Sequence, residues 1–139
     1  MNGLIIREPW LSKILSGSKT WELRTKPTSY RGRVGLIRKG SGLVVAVADL
    51  VDSLLPLAAT AFAAARHQHG IPIERDAEVL AAGWVYPWVL RDVRALRQPV
   101  LAGQKPGQVI WVPLPEVAMV AIAGQVGPAR PYAALDGVR

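Results

Sequence analysis

Gly17-Ser18-Lys19-Thr20-Trp21-Glu22-Leu23-Arg24 places three charged side chains and a tryptophan within eight residues. From Thr20 onward the stretch alternates as a β-strand does. Trp21 and Leu23 fall on one face, and Thr20, Glu22 and Arg24 on the other. Arg24 offers a planar fork of donors and Lys19 a point charge, and both suit phosphate oxygens. Glu22 lies between them. Strict alternation would turn Lys19 away from Glu22. The two meet only if the strand begins at Thr20 or later, with Lys19 still in the preceding turn, which Gly17 permits. Two uses of this trio stay open. A lysine beside Arg24 and Arg7 can have a lowered pKa and act as base or nucleophile, with Glu22 orienting it or activating a water. The same charges can instead form an ion pair that fixes the strand.

Working outward, Leu4-Ile5-Ile6 reads as a short buried strand, and Pro9 opens a helix at its first position. Trp10, Leu11, Ile14 and Leu15 share one face of that helix, Ser12, Lys13 and Ser16 the other, and Gly17 caps it. Lys26-Pro27-Thr28-Ser29 reads as loop and Val34–Ile37 as strand. Gly40-Ser41-Gly42 is a tight turn whose N–H groups could face an anion, and Leu43–Leu50 is a long buried strand. Pro56–His67 is Ala-rich and helical, ending near Gly70, and Asp76–Ala82 is a second short helix closed by Gly83. Trp84–Val93, Gln108–Val112 and Val117–Ala123 read as the late strands, with Pro87 an irregularity or an edge position. The pattern predicts an α+β domain: a small mixed barrel of six strands with two or three flanking helices.

Several of these segments together resemble ASCH domains, which belong to the PUA-like superfamily. The opening octet is similar to that family's Gly-x-Lys-x-x-Glu-x-Arg signature. Ile6–Trp10 looks like its opening strand and helix start, and Arg31–Ile37 like the next strand. Gly40–Gly42 with Val44–Leu50 looks like its central strand pair, and Trp88–Leu90 and Gly107–Trp111 like its late strands. The resemblance covers roughly residues 3–114 and implies a PUA-like barrel, here placed over residues 1–126; the tail 127–139, with Pro128, Pro131 and several alanines, reads as loosely ordered. The resemblance also implies a cleft beside the first helix and association with RNA. Some small ASCH-like proteins hydrolyse modified cytidine nucleosides, and others are linked to RNA cleavage. The amidohydrolase type carries a Lys and a Thr three positions apart, plus a separate Glu. Lys19 matches the Lys, but Glu22 stands where the Thr would be, and Glu74 and Glu78 are the candidates for the separate Glu.

Charge supports a polyanion partner. Residues 1–41 hold nine basic and two acidic side chains, and residues 42–139 hold eight of each, so the whole net charge of +7 lies in the first third. Arg7, Lys19, Arg24, Arg31, Arg33, Lys39 and Ser41 are therefore the candidate contacts to RNA or an RNA-derived nucleotide. Of the five tryptophans, Trp21, Trp84 and Trp111 read as core, and Trp10 or Trp88 as the ring that stacks a base. His67 and His69, the only histidines, read as solvated helix-end residues rather than metal ligands. No structural metal is expected. Mg²⁺ or Mn²⁺ shared with a phosphate suits a nucleolytic activity only. The absence of cysteine excludes disulfides and fits a reducing, cytoplasmic setting. The N-terminal apolar run is too short for a signal peptide, and no stretch approaches the ~20 apolar residues of a membrane helix.

Overall fold

The apolar run Leu4-Ile5-Ile6 lies in β1 (Asn2–Ile6) and is buried on both of its faces. Leu4 and Ile6 join Leu36, Leu50 and Leu90 on one side, while Ile5 joins Ile37, Val44 and Val112 on the other. A strand without polar alternation needs cover on both sides, and helices supply it. The computed structural model describes residues 1–131. The other strands are β2 (Trp21–Arg24), β3 (Gly32–Arg38), β4 (Leu43–Ser53), β5 (Tyr86–Leu101) and β6 (Trp111–Pro113). They form one mixed sheet in the order β2-β5-β4-β3-β1-β6. β1 runs parallel to β3, and every other pairing is antiparallel.

The result is an α+β fold in which the sheet curls into a half-barrel. It is open, because β2 and β6 are its two edges. The register between β4 and β5 shifts three times, between Val44 and Ala46, Val47 and Asp49, and Leu50 and Asp52. Such bulges bend and twist a strand. Asp92, with φ 51°, sits at the middle one.

Among the described residues there are five α-helices, more than the two or three expected. They are α1 (Trp10–Ser16), α2 (Ala59–Ala64), α3 (Arg66–His69), α4 (Asp76–Ala81) and α5 (Glu116–Val126); a 3-10 turn spans Ile73–Arg75. α1 starts one residue later than the sequence suggested, with Pro9 in the cap position. Its apolar face seats Leu11 and Ile14, both fully buried, against the concave core. Burying each stabilises the fold by roughly 1.5–3 kcal/mol. The Ala-rich helix is split into α2 and α3 at Ala65.

Three strand readings are corrected. Val117–Ala123 is not the last strand but lies inside α5. Its Ala118 and Ile122, four residues apart, bury against Val44 and Leu114. Val117 and Val120 on its outer side are exposed, so the segment is apolar all round and shows no period. Gln108–Ile110 is irregular rather than strand, although Ile110 O still accepts from the Ile5 N–H at 2.9 Å. β5 begins two residues later than expected and runs eight further, through a polar half in which Leu96 is the one buried side chain. Of the tail, residues 127–131 are described. Gly127 O accepts from Arg33 Nη1 at 2.7 Å, and Arg130 Nη2 meets the buried Asp49 Oδ2 at 2.7 Å. The remainder of the expected loose tail lies outside the described residues.

Candidate functional site

α1 ends at Gly17, whose φ of 85° lets its N–H bond back to Ile14 O. Lys19 N–H then donates to Lys13 O at 3.1 Å and Thr20 N–H to Gln68 O at 2.8 Å. β2 starts only at Trp21. Lys19 is therefore in the turn, which is the condition under which it can reach Glu22. Its Nζ lies 3.8 Å from Glu22 Oε1 and donates to His69 O at 2.7 Å. Gly70, at φ +65°, makes room for this, since a Cβ there would meet Lys19 Cβ at 3.2 Å.

The strand face carrying Glu22 also carries Arg24, as alternation requires. Arg24 Nη2 donates to Glu22 Oε2 at 2.9 Å and to Ile5 O at 2.7 Å. Its Nε is buried without a hydrogen-bond partner among the described residues. Lys19, Glu22 and Arg24 are 1%, 5% and 8% exposed, so three charges of alternating sign are held out of water. Burial pulls the Lys19 pKa down from 10.5 to about 8, with Glu22 pulling the other way.

This trio forms the floor of a cavity of about 250 Å³. Leu23, Trp10, Ile71, Val79, Trp84 and Val109 supply its apolar walls. Three cations lie around the Trp10 ring: Lys13 at 5.5 Å, Lys19 at 5.4 Å and Arg75 at 5.3 Å from its centroid. At the mouth, Arg7 follows β1 and Lys39 follows β3. These strands are parallel neighbours, and Lys39 N–H donates to Ile6 O at 3.0 Å, so the two cations emerge side by side. Arg75 and Glu78 complete the rim and pair with each other at 2.9 Å.

The cavity thus gathers Arg7, Trp10, Lys19, Glu22, Arg24 and Lys39, along with Glu78 but not Glu74. It does not gather Arg31, Arg33 or Ser41. Arg31 bonds Thr28 O and Tyr30 O, Arg33 bonds Gly127 O, and Ser41 closes the turn onto Arg38 O. Two tryptophan readings exchange places. Trp88 is 4% exposed, lies 5.5 Å from the Trp111 ring in a stacked arrangement, and donates its Nε1–H to Lys26 O. It is a core ring with no free face for a base. Trp84, read as core, is 40% exposed and lines the cavity. Arg75 also escaped the sequence reading. Its i,i+3 spacing to Glu78 signalled a helical ion pair but not a place on the cavity, and Gly83 before Trp84 marked the end of the helix.

His67 is exposed as expected, but His69 is not solvated. Its Nε2–H donates to Phe62 O at 2.7 Å, and its Nδ1 accepts from Ile71 N–H at 2.9 Å. Burial lowers the ring's pKa, and the bond from Ile71 N–H needs an unprotonated Nδ1, while the bond to Phe62 O pulls the other way. Among the described residues, no group of three or more His, Asp or Glu side chains is placed to hold a metal ion.

The ASCH domain family model matches residues 4–105, which is most of the chain and includes every side chain on the cavity except Val109. The chain belongs to the ASCH domain family. A crystal structure of ASCH from Zymomonas mobilis resembles this ASCH domain with a TM-score of 0.69 at 15% sequence identity, covering 89% of this chain and 94% of that one. A point-mutant structure of the same Zymomonas mobilis protein gives 0.67 at 16% identity, over 89% and 95%. At that identity the likeness concerns the fold. No curated protein matches the chain. No helix among the described residues of this ASCH domain is long and apolar enough to cross a membrane.

Proposed function

We propose that this ASCH domain is a cytoplasmic binding module that takes single-stranded RNA or an RNA-derived nucleotide into the cavity. The observation that carries the reading is one small cavity that joins two tryptophan walls, a buried donor–acceptor floor and a basic mouth. Aromatic walls accept the π-face of any base, and cations at a mouth accept phosphate. Arg7 and Lys39 are exposed and make no side-chain hydrogen bond or ion pair within 4 Å among the described residues, which leaves both available to a ligand. The segregated charge of the first third supports the same partner. Binding measured by fluorescence anisotropy across a salt series tests this. Two phosphate contacts give a log–log slope near −1.4 for single strands, and a slope near zero refutes the reading.

One observation favours a second reading, a hydrolase acting on RNA or on a modified cytidine nucleoside. Lys19 is buried, its pKa is drawn down to about 8, and Glu22 Oε1 stands 3.8 Å away. A lysine tuned toward neutrality suits a general base or nucleophile. Glu22 would then orient it or act as general acid, and Glu78 opens onto the same cavity. Incubation with an RNA pool and modified nucleosides, with and without Mg²⁺ or Mn²⁺, followed by mass spectrometry, separates the two readings. Products that vanish in Lys19→Ala establish the enzyme, and no product from the wild type removes it.

A further inference from the structure

The two cations best suited by sequence to hold a phosphate are already bonded inside the protein. Lys19 Nζ is held by His69 O and Glu22, and Arg24 Nη2 by Ile5 O and Glu22. An anion brought to them would meet the Glu22 carboxylate in the same desolvated cluster, where like charges repel strongly. The floor is therefore a poorer seat for a phosphate than the exposed Arg7 and Lys39 at the mouth.

Among the described residues, the floor offers one unpartnered donor, Arg24 Nε, and one under-used acceptor, on Glu22. Glu22 Oε2 receives the 2.9 Å bond from Arg24, while Oε1 has only Lys19 at 3.8 Å, which is too long for a hydrogen bond. A carboxylate oxygen in that position accepts a ligand N–H well, and a charged partner makes such a bond strong. The side walls, Trp10 and Trp84, are flat aromatic surfaces. The volume of about 250 Å³ lies below the ~300 Å³ at the low end of drug-sized sites, so it takes one base rather than a base pair. Arg7 and Lys39 stand at the opposite end from Glu22 in exposure, side by side and in water.

Resting on the nucleotide-binding reading above, we infer that the ligand enters base first. Glu22 Oε1 accepts an N–H from the pairing edge of an unpaired nucleobase, the tryptophans flank the ring, and the phosphate stays at the mouth on Arg7 and Lys39. Glu22 is then a specificity-determining residue and not merely a counter-ion to Lys19. Paired RNA is excluded, because a base pair covers the edge that Glu22 reads.

The test uses the full chain and three labelled RNAs in anisotropy titrations: a short mixed single strand, the same strand annealed to its complement, and an abasic strand of equal length. The single strand binds at least ~tenfold more tightly than either of the others, the yield of one charge-assisted hydrogen bond. Glu22→Gln loses most of that preference. Equal affinity of the wild type for the abasic or the duplex RNA overturns the base-first orientation while leaving RNA binding intact. A folded Glu22→Gln that keeps the full preference overturns the role of Glu22. Failure of all three strands to bind removes the RNA reading itself. If Glu22→Gln does not fold, the wild-type comparison of single and abasic strands decides the orientation alone.

Discussion

Replacing Lys19 with methionine separates what the buried charge does for stability from what it does for the ligand. The side chain is 1% exposed, and burial draws its pKa from 10.5 to about 8. Holding it protonated at neutral pH thus costs on the order of 3 kcal/mol relative to a neutral side chain. Methionine fills similar space without that cost, but it leaves His69 O without the 2.7 Å donor, a loss of about 1–3 kcal/mol. Glu22 keeps Arg24 as its partner, so no buried carboxylate is stranded. The variant is therefore as stable as the wild type near neutral pH, or more stable by up to ~2 kcal/mol, which is about 3 °C in Tm per kcal/mol for a chain of this length. The pH dependence supplies the sharper check. Between about pH 8 and 10.5 the unfolded lysine binds a proton that the folded one has released, so wild-type stability rises with pH through that window. The rise amounts to about 2 kcal/mol from pH ~7 to ~9.5, and Lys19→Met lacks it. Thermal unfolding of both proteins across that range, followed by circular dichroism, measures the difference. Parallel curves for the two proteins, or a variant several kcal/mol weaker at neutral pH, would refute the reasoning.

Trp84→Ala weakens RNA binding about tenfold, by loss of ~1–3 kcal/mol of stacking, with little change in the urea midpoint. Trp88→Ala does the reverse and costs roughly 3–5 kcal/mol of stability, because it empties a core position. His69 has a folded pKa below its unfolded value, so the unfolded state takes up the proton first, and stability falls as pH drops below about 6.5. Urea titrations show that fall surviving His67→Gln and disappearing in His69→Gln. Arg130→Ala deprives the 5%-exposed Asp49 of its 2.7 Å partner and lowers the urea midpoint. Adding Asp49→Asn to that variant recovers most of the loss.

The first half of the chain was legible because local rules and tertiary demands agree there. Pro9, the apolar face of α1, Gly17 and the alternation of Trp21–Arg24 each specify their own element, and together they place Lys19 in the turn beside Glu22. The second half hides its structure for identifiable reasons. α5 is apolar on every side, so neither helical nor strand period shows. Pro115 and Glu116 at its start and Gly127 at its end were the signals that favoured a helix. Trp84 and Trp88 look alike in sequence, but only Trp88 lies within β5 where the sheet buries it, whereas Trp84 follows the turn at Gly83. Arg75 joins the site through the fold of the 72–84 segment over Trp10, a contact that no local pattern encodes. Arg31 and Arg33 share the charge run with Arg7 and Lys39, but they precede or begin β3 rather than follow it, at the far end from the cavity.

The cavity as the RNA site is tested most directly by the indole N–H resonances in a two-dimensional NMR titration of the full chain with single-stranded RNA. The chain has five tryptophans, distributed between the cavity wall and the core. The resonances of Trp10 and Trp84 shift as RNA is added, while those of Trp21 and Trp88 stay in place. Binding that moves no cavity tryptophan, or that moves Trp21 and Trp88 instead, contradicts the account.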